Sequence, residues 1–92
     1  MNPYKAVVIL SKAANINPTQ LELQCGITDF DMVFEPKTAI RKLADFYKIE
    51  ENVMIFLATE TKDIPEHKRE LFKALHPTFS DFISETLNNL NK

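Results

Sequence analysis

The sequence predicts an all-α fold, a compact single-domain bundle of five or six short helices over residues 1–92. Three observations predict it. All five prolines sit where a helix can begin, at Asn2-Pro3, Asn17-Pro18, Glu35-Pro36, Ile64-Pro65 and His76-Pro77; proline suits a first helical turn because the amide it lacks has no intrahelical partner there. The one glycine, Gly26, stands just past a short apolar segment, where a left-handed residue stops a helix, and a β-rich fold would use more glycine in its turns. Apolar residues also recur at helical spacing, most clearly through Pro36 to Ala58, around which the rest is expected to pack.

The first element is expected over residues 3 to 14. Its run Ala6-Val7-Val8-Ile9-Leu10 suits a buried strand as well as a helix, and continuation through Ser11, Lys12, Ala13 and Ala14 favours the helix. Asn17 as cap, Pro18 as first residue, Gln20 at the capping-box position and Ile16 stapled onto Leu21 then mark a helix ending at Cys25. Residues 27 to 35 break the helical pattern and read as an extended piece or an irregular turn. A helix follows from Pro36 to Lys48 or Ile49, with Lys37, Arg41, Lys42, Asp45 and Lys48 on its wet side. Residues 51 to 60 form a buried helix, with a buried strand over 53 to 58 as the alternative.

Asp63 and Glu66 resemble a capping box opening a helix with Leu71, Phe72 and Leu75 on its inner face. His76 should end that helix, since the residue before a proline is pushed out of the α region. A last helix starts near Thr78 and places Phe79, Phe82, Ile83, Leu87 and Leu90 inward, with Ser80, Asp81, Ser84, Glu85, Asn88 and Asn89 outward. Phe82→Asp or Leu87→Asp is therefore expected to unfold the domain.

Composition bounds the function. An apolar share of 45% supplies a core without metals or disulfides, and a net charge of −2 argues against a general nucleic-acid binder. No apolar run approaches the roughly 18 residues of a membrane span, and MNPYKAVVIL lacks a signal-peptide pattern. With the lone Cys25, this suits a reducing, cytoplasmic location. No spacing suggests a catalytic, cofactor or metal site. His67 and His76 lie nine residues apart, one cysteine makes no zinc cluster, and one glycine makes no phosphate loop. His67 reads as a packing or solvent residue, His76 as a helix C-terminal cation or simple cap, and Cys25 as a small buried hydrophobe.

A non-catalytic protein-interaction module is the expectation that remains, binding another protein or a second copy. Phe30, Met32 and Phe34, hemmed by Asp29, Asp31 and Glu35, have the composition of a contact site with an acidic rim, or else they plug an open end of the bundle. The alternative is DNA binding. Pro18 to Thr28 resembles the first helix and turn of a helix-turn-helix, with Gly26 in the turn and Leu21 and Ile27 facing inward. It departs from that motif at Glu22 and at the acidic segment TDFDMVFEP, which phosphate would repel. If residues 36 to 48 supply the second helix, the resemblance implies phosphate contacts from Lys37, Arg41, Lys42 and Lys48.

Overall fold

A computed structural model describes residues 1–90, for Leu90 the backbone alone. It contains six α-helices: α1 (Pro3–Ala13), α2 (Pro18–Cys25), α3 (Asp29–Phe34), α4 (Pro36–Tyr47), α5 (Glu51–Ala58) and α6 (Arg69–Leu90), with 3-10 turns at Thr61–Asp63 and Glu66–Lys68. No strand occurs among the described residues. The expected all-α bundle forms, and the segments 6–10 and 53–58, ambiguous by apolarity, are helical.

Local chemistry sets most of the boundaries. Asn2 Oδ1 accepts from Tyr4 N at 3.1 Å and Asn17 Oδ1 from Gln20 N at 2.9 Å, so each satisfies an amide orphaned at a helix start. Gly26 ends α2 at φ +71°, with open space where a Cβ would stand. Lys48 ends α4 in the same left-handed region at φ 59°, which costs a side chain more than glycine. Pro3, Pro18 and Pro36 begin helices.

α1 is the central element, lying against α2, α4, α5 and α6, while α4 and α5 pack on each other. Its Ala6, Val7 and Leu10 meet Leu21 of α2, Ala39, Ile40, Leu43 and Ala44 of α4, and Met54, Leu57 and Ala58 of α5 in one core. Fully burying each large apolar side chain contributes about 1.5 to 3 kcal/mol. From α6, Leu87 alone among the described side chains joins that buried set.

Three departures from the sequence expectation follow. Residues 29 to 34 are helical rather than extended or irregular. Thr28 Oγ1 accepts from Asp31 N at 3.1 Å while Asp31 Oδ2 accepts from Thr28 N at 3.0 Å, a reciprocal box that holds so short a helix. Asp63 does not open the helix that carries Leu71, Phe72 and Leu75; its carboxylate accepts from Glu60 N at 3.0 Å and closes a 3-10 turn.

The third departure decides the surface. α6 runs through Pro77 without a break. The bond Pro77 cannot donate leaves the carbonyl of Lys73 unpaired within the helix, but both residues are exposed, so water can take that place. The helix also presents the opposite face from the one expected. His76, Ser80, Ser84 and Leu87 are buried, at positions i, i+4, i+8 and i+11, while Leu71, Leu75, Phe79 and Phe82 lie in solvent. Leu87 and the half-buried Phe72 and Ile83 keep their expected inward places, and the side chain of Leu90 lies outside the described residues.

Candidate functional site

α6 takes this orientation because its inner face completes polar chemistry begun elsewhere. The last carbonyls of a helix lack intrahelical donors, and α5 ends against α6. His76 Nε2 lies 3.1 Å from the Phe56 carbonyl oxygen, to which it must donate, and Lys5 Nζ donates to the Thr59 carbonyl at 2.7 Å. With Nε2 carrying the proton, neutral His76 accepts at Nδ1 from Ser80 Oγ, 3.1 Å away. Phe56 and Phe72 rings flank the imidazole, each with its centroid at 4.8 Å. Burial pushes His76 below the usual imidazole range, and the Lys5 ammonium adds to the shift. His76 is thus a buried neutral pin between α5 and α6, not the helix-end cation expected. Ser80 and His76 also form a hydroxyl–imidazole pair of the kind used in nucleophilic catalysis, but both are buried and the other ring nitrogen is committed to Phe56.

Pinning α6 by this face turns its large apolar residues outward. Leu71 is 64% exposed, Phe79 50% and Phe82 66%. Toward α5, Phe79 borders a groove of about 350 Å³ lined also by Asn52, Val53, Phe56 and Ile83. A smaller hollow of about 160 Å³ shares Val53 and Ile83 and extends toward Ile49, Phe82 and Thr86. Asn52 and Thr86 are the polar residues along it; the rest of its lining is apolar.

The five residues nominated as a contact site divide. Phe30 and Phe34, one turn apart on α3, are 60% and 68% exposed with ring centroids 5.1 Å apart, and Asp29 and Val33 are exposed near them. Met32 turns the other way onto the core. Asp31 is buried in the Thr28 box, where Lys42 Nζ meets its Oδ2 at 2.7 Å; Lys42 and the Thr28 amide hold its carboxyl below the usual carboxylate range.

The four cations nominated for phosphate do not act as a free set. Lys42 also donates to the Gly26 carbonyl at 2.9 Å, and Arg41 Nε pairs with Glu51 Oε1 at 3.0 Å. Lys37 is exposed and Lys48 occupies the left-handed cap. The helix that follows the Gly26 turn is α3, which carries Asp29 and Asp31 and no lysine or arginine. Cys25 is half-buried against the core, and burial pushes its thiol up to about 11, a poor nucleophile at neutral pH. Among the described residues no group of three His, Cys, Asp or Glu side chains could hold a metal ion, and no helix is long and apolar enough to cross a membrane.

Sequence reasoning missed the outer stripe of α6. Read through Pro77, Leu71, Leu75, Phe79 and Phe82 fall at i, i+4, i+8 and i+11, one continuous face. Small residues at Ser80 and Ser84, spaced for close helix approach, signalled the opposite face. Comparison with protein-family models, with curated proteins and with solved structures finds no match to this chain.

Proposed function

We propose that this chain is a non-catalytic protein-interaction module whose docking surface is the α5–α6 groove with the outer stripe of α6. One observation carries the reading: a 22-residue helix keeps His76, Ser80 and Ser84 inside and leaves two leucines and two phenylalanines in water. A continuous apolar face beside an apolar groove is the arrangement that accepts a helix from a partner. The site of action in this reading is the cytoplasm, where a single unpaired cysteine stays reduced.

The test compares wild-type and Phe79→Ser/Phe82→Ser baits, each captured protein being purified and recombined as a binary complex. The proposal expects binding to be lost in the variant while its circular dichroism and cooperative melt persist. Equal binding by both baits refutes it.

A second contact is favoured by the exposed Phe30–Phe34 pair, which presents a smaller apolar face on α3. In this reading it joins two copies of the chain. Light scattering at high concentration should then show an oligomer that Phe34→Ser dissociates, and a strictly monomeric parent removes the idea.

A further inference from the structure

We infer that the outer stripe of α6 is covered by the same stripe of a second copy, the two helices antiparallel about a two-fold axis near Pro77. The inference rests on the docking surface proposed above and names its occupant. A two-fold contact needs a patch that complements itself, residue i meeting j and j meeting i. Read outward from Pro77, α6 has that property. Two residues either way stand Leu75 and Phe79, five either way Phe72 and Phe82, and six either way Leu71 and Ile83. Turned end for end, the helix lays apolar side chains on apolar side chains, with a leucine against a phenylalanine at the centre. Leu75 is 43% exposed and Phe79 50%, so each has about half of its surface to offer there.

Charge follows the same order. Four residues either way from Pro77 stand Lys73 and Asp81, and eight either way Arg69 and Glu85. Part of this charge is answered within the chain. Lys73 lies 3.7 Å from Glu70, Glu66 and Lys68 of the preceding turn cancel, and Lys12 of α1 faces Asp81 and Glu85 across a cleft. What is left has opposite sign at the two ends. Arg69 is in excess at the first, where Lys5 also stands 5.6 Å over the Phe72 ring. At the second, two carboxylates face one lysine, and residues 75 to 90 hold no lysine or arginine. Antiparallel copies set the positive end of each helix beside the negative end of the other and oppose their macrodipoles, whereas parallel copies set like ends together. These charges lie beside the stripe rather than within it, so they choose orientation more than they add affinity.

The area suffices for a modest dimer. A phenylalanine can bury about 150 to 250 Å², so Phe79 and Phe82 each leave roughly 100 Å² uncovered. With Leu71 and Leu75 the stripe offers about 400 Å² per copy, and the residues beside it bring two copies to the lower end of specific interfaces, about 1,200 Å² in all. Exposure of the stripe is on this account a property of the dilute monomer.

Sedimentation equilibrium of the full chain over about 10 to 500 μM should show a monomer–dimer equilibrium with a micromolar Kd. Phe79→Ser/Phe82→Ser and, separately, Leu75→Glu should keep a cooperative melt and raise that Kd at least about tenfold. Orientation is read by mixing ¹⁵N-labelled chain with unlabelled Cys25→Ser/Asn89→Cys chain carrying a nitroxide. Antiparallel pairing broadens the labelled amides near Glu66 to Arg69; broadening near Asn88 and Asn89 instead shows parallel copies and overturns the inference. A chain that stays monomeric at the highest concentration overturns it too and leaves the docking surface to a foreign partner, which the bait comparison above tests by itself. A dimer that Phe34→Ser dissociates and the α6 variants leave intact puts the copies together at α3, and this inference falls.

Discussion

Replacing Leu87 by alanine and, separately, Phe82 by serine sets the two faces of α6 against each other. Leu87 is 4% exposed and belongs to the core, whereas Phe82 is 66% exposed, so only about a third of its surface is covered. A buried leucine truncated to alanine costs about 2 to 5 kcal/mol, transfer and cavity together. Full burial of phenylalanine is worth about 1.5 to 3 kcal/mol, and a third of that is about 0.5 to 1 kcal/mol. In a domain of this size each kcal/mol lowers Tm by about 4 to 8 °C. Urea titration followed by circular dichroism should therefore give Leu87→Ala a loss at least twice that of Phe82→Ser. An equal or larger loss at Phe82 would refute the orientation of α6 and remove the exposed stripe.

Other perturbations test the supports of this arrangement. His76 is held neutral by burial and by Lys5, so its folded pKa lies below its unfolded value. Its contribution is then fully present above the ordinary histidine pKa of about 6.5 and is lost as pH falls through the folded value, because the unfolded chain binds the proton more readily. Melts between pH 7.5 and 5 should show a falling Tm, and His76→Gln, although less stable, should show a flatter profile. Pro77→Ala restores a helical donor at an exposed position and should raise stability by about 1 to 3 kcal/mol; no gain in a urea titration would show that the backbone there is not regular helix. Gly26→Ala meets no neighbouring atom, so its cost should be purely conformational, about 1 to 2 kcal/mol, with unchanged spectra.

Much of the fold was legible because its signals are local. Asn17, Pro18 and Gly26 bracket α2 through amides and carbonyls a few residues away, and the structure uses each as expected. The inner face of α4 was also readable from its helical spacing, and Ala39, Ile40, Leu43 and Tyr47 are buried; the continuous run Ala6 to Leu10 of α1 marked burial but no face. α3 was missed although Thr28 and Asp31 have capping-box spacing, because six residues with Phe, Met and Phe at alternate positions look extended by periodicity. α6 was misread for a different reason. A helical wheel shows which residues share a face but not whether a neighbour is there to cover it. The deciding interactions are remote: Phe56 lies 20 residues from His76, and nothing in the local pattern ties them. The candidate site was accordingly half visible. Phe30 and Phe34 are exposed, Met32 and Asp31 proved to be structural, and the larger face along Leu71, Leu75, Phe79 and Phe82 was assigned to the interior.

The most direct measurement is paramagnetic relaxation of side-chain protons by a soluble, uncharged gadolinium chelate. Leu71, Phe79 and Phe82 should relax about as strongly as Phe30 and Phe34, while Leu87, Met54 and His76 stay protected. Protected rings at Phe79 and Phe82, with strong relaxation at Ser80 and Ser84, would contradict the account.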